Sequence, residues 1–236
     1  MIDVHSHLLY GVDDGAKNRK ESIQMLKEAK TQGIEAIILT PHYRKGMFKH
    51  PNDKIWENFM DLKEVAKEIG IDIYLGTEFH VNSSVVEYLQ RGRCRTLADT
   101  EYMLAEYGYD TEFTYIKSTI QELLLNGYIP IIAHAERYAC LREQIECVEL
   151  LRDIGAMIQV NADAILGIDG FLTKNIVRKF LKNRLVDFVA SDSHGIMKRT
   201  NNLGKCRDYL YKKYDGDYID KILEINARNL IGSGKR

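Results

Sequence analysis

Short runs rich in β-branched and other apolar residues alternate along this chain with longer stretches whose apolar positions recur every three to four residues. The short runs fall at 1–7, 35–42, 71–80, 102–107, 130–134, 156–161 and 186–192 and are predicted strands. Between them, 22–32, 55–69, 113–126, 144–154 and 174–182 carry helical periodicity, as do 202–214 and 218–230. Gly33, Gly70, Gly127 and Gly155 stand just past four of these stretches, where helices commonly end. Strand–helix alternation of this kind predicts a parallel sheet covered by helices. Seven units over 236 residues come to about 34 residues each, in keeping with the ~30 or more that a βαβ unit needs. With three prolines and no Ser/Gly-rich linker, residues 1–236 read as one domain.

The polar residues decide between an open sheet and a barrel. His5 and His7, His42, Glu78, Glu106, His134, and Asp192 with His194 each close an apolar strand. An open sheet would space these ends along a line too long to converge. A closed barrel gathers them at one mouth, at the C-terminal ends of the strands, where barrel enzymes keep their active sites. A single α/β barrel with a ligand cluster at that mouth is therefore expected. H-x-H at 5 and 7 places both imidazoles on one face of a strand, and S-D-S-H does the same for Asp192 and His194. A lone buried His or Glu is usually a hydrogen-bonded structural residue. Gathered carboxylates, however, repel one another and rise in pKa unless cations sit among them. A mixed His and carboxylate set without cysteine suits Mn²⁺, Fe²⁺ or Zn²⁺ rather than a closed structural zinc site.

Composition adds exclusions. The chain is 45% hydrophobic and 28% charged, ordinary for a globular protein. Lys plus Arg is 33 against Asp plus Glu 34, so no global field draws in nucleic acid or membrane. The opening M-I-D-V-H-S-H has no signal-peptide pattern, and no apolar run nears the ~20 residues of a membrane span, so a cytoplasmic protein is expected. Cys94, Cys140, Cys147 and Cys206 form no C-x-x-C pair and fit reduced thiols. The residues six positions after them are Thr100, Glu146, Asp153 and Lys212, so the Cys–Arg loop of a thiolate phosphatase is absent. The terminal G-S-G-K-R is not a P-loop, and there is no G-x-S-x-G elbow.

Arg137 follows His134 by three residues and Arg199 follows His194 by five. A loop arginine is usually a solvated charge; beside a dication cluster, a planar fork is suited to clamping phosphate or carboxylate. The loop 43–50 carries Arg44, Lys45, Lys49 and His50 with Met47 and Phe48. Alone it reads as a solvated loop; at a barrel mouth it would attract an acidic or phosphorylated chain. His80 shares the face of Glu78 and reads as a supporting or structural residue.

Taken in order, I-D-V-H-S-H with D-D-G, T-P-H, G-T-E, I-A-H-x-E-R and A-S-D-S-H resemble the PHP (polymerase and histidinol phosphatase) superfamily, from residue 2 to about residue 230. The H-x-R-K-G-M-F loop, I-A-H-x-E-R-Y and V-A-S-D-x-H look closest to its bacterial manganese-dependent protein-tyrosine phosphatases of capsule and exopolysaccharide operons. The resemblance implies a distorted (β/α)7 barrel holding two or three ions, Mn²⁺ first, with Fe²⁺ or Zn²⁺ as alternatives. It implies His5, His7, Glu78 and Asp192 around one cation, Glu78 shared with a second completed by Glu106 and His134, and Asp14, His42 and His194 around a third. Asp13 is the alternative to Asp14. Arg137 and Arg199 match the phosphate-binding arginines, although I-M-K-R-T-N-N around Arg199 departs from some relatives.

The implied activity is hydrolysis of phosphotyrosine on the tail of a tyrosine autokinase that regulates capsular or exopolysaccharide synthesis, by metal-activated water and without a phosphoenzyme. Other readings are a small-molecule phosphoesterase such as histidinol-phosphate phosphatase, a nuclease, and a non-catalytic binding barrel. Balanced charge weighs against the nuclease, and the retained ligand set against the last.

Overall fold

The computed structural model describes residues 1–48 and 50–234. Its strands are β1 (Ile2–Ser6), β2 (Ala36–Leu39), β3 (His42–Tyr43), β4 (Asp72–Leu75), β5 (Glu78–His80), β6 (Tyr102–Glu106), β7 (Ile129–Ile132), β8 (Met157–Asn161) and β9 (Phe188–Ala190). All pair in parallel, in two ladders, β1–β2–β4 and β3–β5–β6–β7–β8–β9. The ladders are parts of one ring, because β3 resumes the line of β2 after residues 40–41 and β5 that of β4 after residues 76–77. The ring closes between β1 and the end of β9. There Asp192 N–H donates to the His5 carbonyl and His7 N–H to that of Ser193, both at 2.9 Å, around a parallel bridge between Ser6 and Ser193. The seven apolar runs of the sequence are thus the staves of a distorted (β/α)7 barrel.

Two runs expected to be continuous strands are broken, each for a local reason. Pro41 has no N–H to give a ladder. At Gly76 an added Cβ would lie 2.6 Å from the Leu97 side chain, so the stave yields there to a plug from below. That plug, Leu97 with Ala227 and Leu230, packs with Ile2, Val4, Ala36, Ile38, Leu104, Ile131, Phe188 and Ala190 as the barrel's interior. The opposite strand faces, among them Ile37, Leu39, Phe79, Ile132, Ile158 and Val189, join the helices in an outer core. The helix Asn52–Ile69 turns Ile55, Phe59, Leu62 and Ala66 into that core at helical spacing. Each such large side chain, fully buried, stabilises the fold by roughly 1.5–3 kcal/mol.

The expected helix over 218–230 is a run of Gly216–Asp220, a π-turn Lys221–Ile225 and Asn226–Gly232. Ile222 and Leu223 serve the outer core while Ala227 and Leu230 reach under the barrel. The short helices Ala139–Glu143 and Ala162–Leu166, just after β7 and β8, had no counterpart among the expected elements. At five residues they are too short to show a period. No helix of the described residues is long and apolar enough to cross a membrane.

Candidate metal centre

The centre begins with an irregularity in β1. Asp3 pairs with Ile37 but Ser6 pairs with Leu39, so β1 carries one extra residue between them. Ile2 and Val4 share the inner face with Ala36 and Ile38, whereas Ile37 and Leu39 lie outside. The bulge therefore turns His5 and His7 inward directly after the inward Val4. Asp3 fastens the kink. Its buried carboxylate accepts from Ser191 Oγ (2.5 Å), Ser191 N–H (2.9 Å), Asn201 Nδ2 (3.1 Å) and His5 N–H (3.5 Å). It thereby ties β1 to the loop that bears Asp192, His194 and Arg199.

Glu78, fully buried at the start of β5, is the hub. Its Oε2 lies 2.8 Å from His42 Nδ1, 3.1 Å from His7 Nε2 and 3.3 Å from His5 Nε2, and its Oε1 lies 2.8 Å from His134 Nε2. Asp192 divides its oxygens. Oδ1 stands 3.5 Å from Nε2 of His5, Nε2 of His7 and Nδ1 of His194. Oδ2 accepts from Asn161 Nδ2, Arg137 Nη2 and Arg199 Nη2, each at 2.8 Å. Asp14 Oδ1 lies 3.5 Å from Nε2 of both His42 and His194. Asp13 faces elsewhere: it accepts from His7 Nδ1 at 2.8 Å and from the N–H groups of Gly15 and His42 at 3.0 Å, orienting His7 from behind. Glu106 Oε2 meets His80 Nδ1 at 3.1 Å and lies 4.0 Å from His42 Nδ1.

The donor set fits divalent cations. Three groups offer ligand atoms within 4.8 Å of one another: His7, Asp14, His42 and His194; His5, His7 and Asp192; His42, Glu78 and Glu106. His134 joins them through Glu78. His42 Nδ1, Glu78 Oε2 and His194 Nε2 are buried without a hydrogen-bond partner among the described residues, although the first two are only 2.8 Å apart. Unsatisfied buried polar atoms cost about 1–3 kcal/mol each. Divalent cations bound among them would satisfy such atoms.

The charges respond accordingly. Burial would raise the Glu78 carboxyl, but His5, His42 and His134 hold it well below the usual carboxylate range. Burial acts likewise on Asp192 and is overcome by His5, Arg137 and Arg199. Burial would lower His7, yet Asp13 and Glu78 push it well above its ordinary value. Three residues here adopt positive φ without being glycine: His134 (34°), Asp192 (50°) and Arg199 (47°). Such strain costs on the order of 1–3 kcal/mol per residue and clusters at functional sites.

Arg137 and Arg199, spaced differently in sequence, arrive at the same Asp192 oxygen, with side chains 40% and 42% exposed. Each spends one nitrogen on Asp192 and keeps further donors for a ligand. In the basic loop, Phe48 stacks on His42 with centroids 4.9 Å apart and planes at 3°. Met47 is exposed, and Lys49 lies outside the described residues. His50 is no rim cation: it is buried, its Nδ1 donates to the His42 carbonyl at 2.9 Å, and burial pulls its pKa down. Beside Asp14 and His194 opens a cavity of about 400 Å³ lined also by Lys17, Lys198 and Arg199. A larger hollow of about 580 Å³, against Cys94, Arg95 and Glu101, holds none of the clustered ligands.

Two kinds of substitution test this layout. A Cβ on Gly15 would fall 2.0 Å from the His7 carbonyl oxygen and 2.6 Å from His7 Cβ. Gly15→Ala should therefore displace His7, destabilise the fold by about 1–3 kcal/mol and lower the metal content, as thermal unfolding and elemental analysis would register. Cys94, Cys140, Cys147 and Cys206 are free, and none belongs to the cluster. Burial raises the pKa of all four thiols. Changing any of them to Ser should leave turnover largely intact, and collapse of activity in a folded variant would revive thiolate chemistry.

Sequence reasoning missed Gln159 and Asn161 on β8 and Tyr138, whose hydroxyl lies 3.3 Å from His134 Nδ1 and donates to the Ala133 carbonyl at 2.8 Å. A signal for the amide pair was present. I-Q-V-N sets polar residues two apart in an apolar strand, the same spacing as H-x-H.

Residues 1–232 match the family described as "Capsular polysaccharide synthesis, CpsB/CapC". The chain is 36% identical to the tyrosine-protein phosphatase CpsB of Streptococcus pneumoniae, covering 98% of each. It is 32% identical to the tyrosine-protein phosphatase YwqE of Bacillus subtilis, over 98% of this chain and 91% of YwqE. A chain from the crystal structures of YwqE and CpsB, described as unique metal-dependent tyrosine phosphatases, superposes with a TM-score of 0.92 at 31% identity. That match covers 100% of this chain and 96% of the other.

Proposed function

We propose that this chain, which belongs to the CpsB/CapC family of capsular polysaccharide synthesis, is a metal-dependent protein-tyrosine phosphatase. The observation that carries the reading is the buried Glu78 carboxylate ringed by His5, His7, His42 and His134, with its Oε2 and the facing His42 Nδ1 left without a hydrogen-bond partner among the described residues. The family resemblance puts Mn²⁺ first, with Fe²⁺ and Zn²⁺ also suited to mixed His and carboxylate donors, and two or three ions when bound would supply Lewis-acid activation of water and charge neutralisation. In this reading His5, His7, Glu78 and Asp192 hold one cation, Glu78, Glu106 and His134 a second, and Asp14, His42 and His194 a third. Asp13 is the residue that orients His7.

Arg137 and Arg199 receive the phosphate. Their free donors face the mouth beside Asp192 and neutralise the charge that grows on the phosphoryl oxygens in the transition state. Asp192, by holding both guanidinium groups, sets them in register before substrate arrives. The phosphoryl group passes to water directly, and trapping a phosphorylated protein would refute that. A phenol of pKa about 10 leaves more readily than a serine alkoxide, which matters at a site where no residue is assigned as general acid. The substrate proposed is the phosphotyrosine tail of a tyrosine autokinase that controls capsule or exopolysaccharide synthesis, met in the cytoplasm. Arg44, Lys45, Lys17 and Lys198 around the mouth would favour acidic neighbours.

The test is a side-by-side rate on phosphotyrosyl and phosphoseryl peptides of equal sequence, with histidinol phosphate as a third substrate. Phosphotyrosine should be hydrolysed much faster than either. Equal rates on the two peptides, or preference for the small phosphate, would defeat the proposal.

A further inference from the structure

β8 is the one stave that brings no metal-type ligand to the mouth, yet its inward side chains near the mouth are amides, Gln159 and Asn161, 0% and 2% exposed. Each register partner of these residues, Phe188 and Ala190, lies on the inner face. Gln159 Oε1 accepts the backbone N–H of His134 at 2.8 Å and lies 3.2 Å from His5 Nδ1. Gln159 Nε2 donates to Asn161 Oδ1 at 2.8 Å, and Asn161 Nδ2 donates to Asp192 Oδ2 at 2.8 Å.

We propose that Gln159 and Asn161 form a hydrogen-bond relay of fixed polarity that selects which nitrogen of His5 and which oxygen of Asp192 face the metal centre. The polarity is set at both ends. A backbone N–H can only donate, so the Gln159 atom facing His134 is its oxygen. A carboxylate clamped by two arginines only accepts, so the Asn161 atom facing Asp192 is its nitrogen. Between these ends each amide has one orientation. His5 Nδ1, opposite an oxygen, must then carry a proton, so Nε2, 3.3 and 3.5 Å from Glu78 Oε2 and Asp192 Oδ1, is the ring nitrogen left to ligate a cation. At the other end the relay, with Arg137 and Arg199, engages Asp192 Oδ2 and leaves Oδ1 for the cluster. The bond to His134 N–H also supports that residue's left-handed backbone, from which its ring reaches Glu78 Oε1.

The relay rests on the proposed ligand roles of His5 and Asp192, and the experiment separates the two. Manganese affinity is measured by competition with a chelating dye for the wild type and for Gln159→Leu, Gln159→Glu, Asn161→Ala and His5→Ala, with folding followed by circular dichroism. Outer partners of metal-binding histidines typically contribute 10–100-fold in affinity, so Gln159→Leu should bind manganese about 10–100-fold more weakly. Gln159→Glu, which keeps an oxygen opposite His5 Nδ1 and His134 N–H but loses the donor to Asn161 Oδ1, should recover part of that loss. A purely space-filling role predicts the reverse order, since Leu fills a buried site better than a carboxylate. If Gln159→Leu does not fold, Asn161→Ala decides, because breaking the far end should also weaken binding. Wild-type affinity in the folded deciding variant, or Leu outperforming Glu, overturns the relay. Undiminished binding by His5→Ala overturns the ligand assignment instead.

Discussion

Treated with EDTA, the protein should lose phosphotyrosine hydrolysis down to the uncatalysed background, and Mn²⁺ should restore it further than Mg²⁺. The geometry leaves little room for residual activity. Glu78 and Asp192 are buried and held ionised by neighbouring His and Arg side chains, so neither is placed to serve as an independent acid. The free thiols lie outside the cluster. The order of restoration follows from the donors. His5, His7, His42, His134 and His194 bring imidazole nitrogens to the centre, whereas Mg²⁺ prefers oxygen and sheds water reluctantly. The measurement is initial rate after dialysis against EDTA and titration with each cation. Full activity in the chelator would overturn the central reading, and equal restoration by Mg²⁺ would remove the argument from imidazole.

The second large effect is expected at the arginines. Arg137→Ala and Arg199→Ala should each lower kcat by about 10²–10³, the loss typical of one transition-state donor, while metal content stays near the wild type. Each contributes a 2.8 Å bond to an Asp192 oxygen that keeps its other donors when one arginine is removed. His5→Ala and Asp192→Ala should differ in kind. They remove atoms of the cluster itself, so metal content and rate should fall together. Asp192→Ala should also release both arginines, making its defect resist added metal more than that of His5→Ala. Elemental analysis beside steady-state kinetics on the four variants distinguishes the roles. Arginine variants that lose metal while the His5 and Asp192 variants keep it would invert them.

By itself the sequence determined the seven staves, the parallel ring and the side chains that meet at its mouth. The reason is that strand periodicity, helical periodicity and chemically costly residues at strand ends are local signals, each legible within a dozen residues. His5, His7, His42, Glu78, Glu106, His134, Asp192 and His194 do converge, with Glu78 at the centre. Other features depended on partners far along the chain. Simple alternation would set Val4 and His5 on opposite faces of β1; pairing with β2 inserts a bulge that turns both inward. The D-D-G loop gave no rule for choosing between its two acids. Folded, one backs His7 and the other faces His42 and His194, because Gly15 lets the loop pass against the His7 backbone. Arg137 and Arg199, unrelated by any sequence period, meet on one oxygen, and Gln159 and Asn161 acquire a role only through neighbours on other staves. A sequence fixes which groups are present and their local direction. Register across the ring and hydrogen-bond polarity between staves arise only when the barrel closes, since both are properties of pairs of strands.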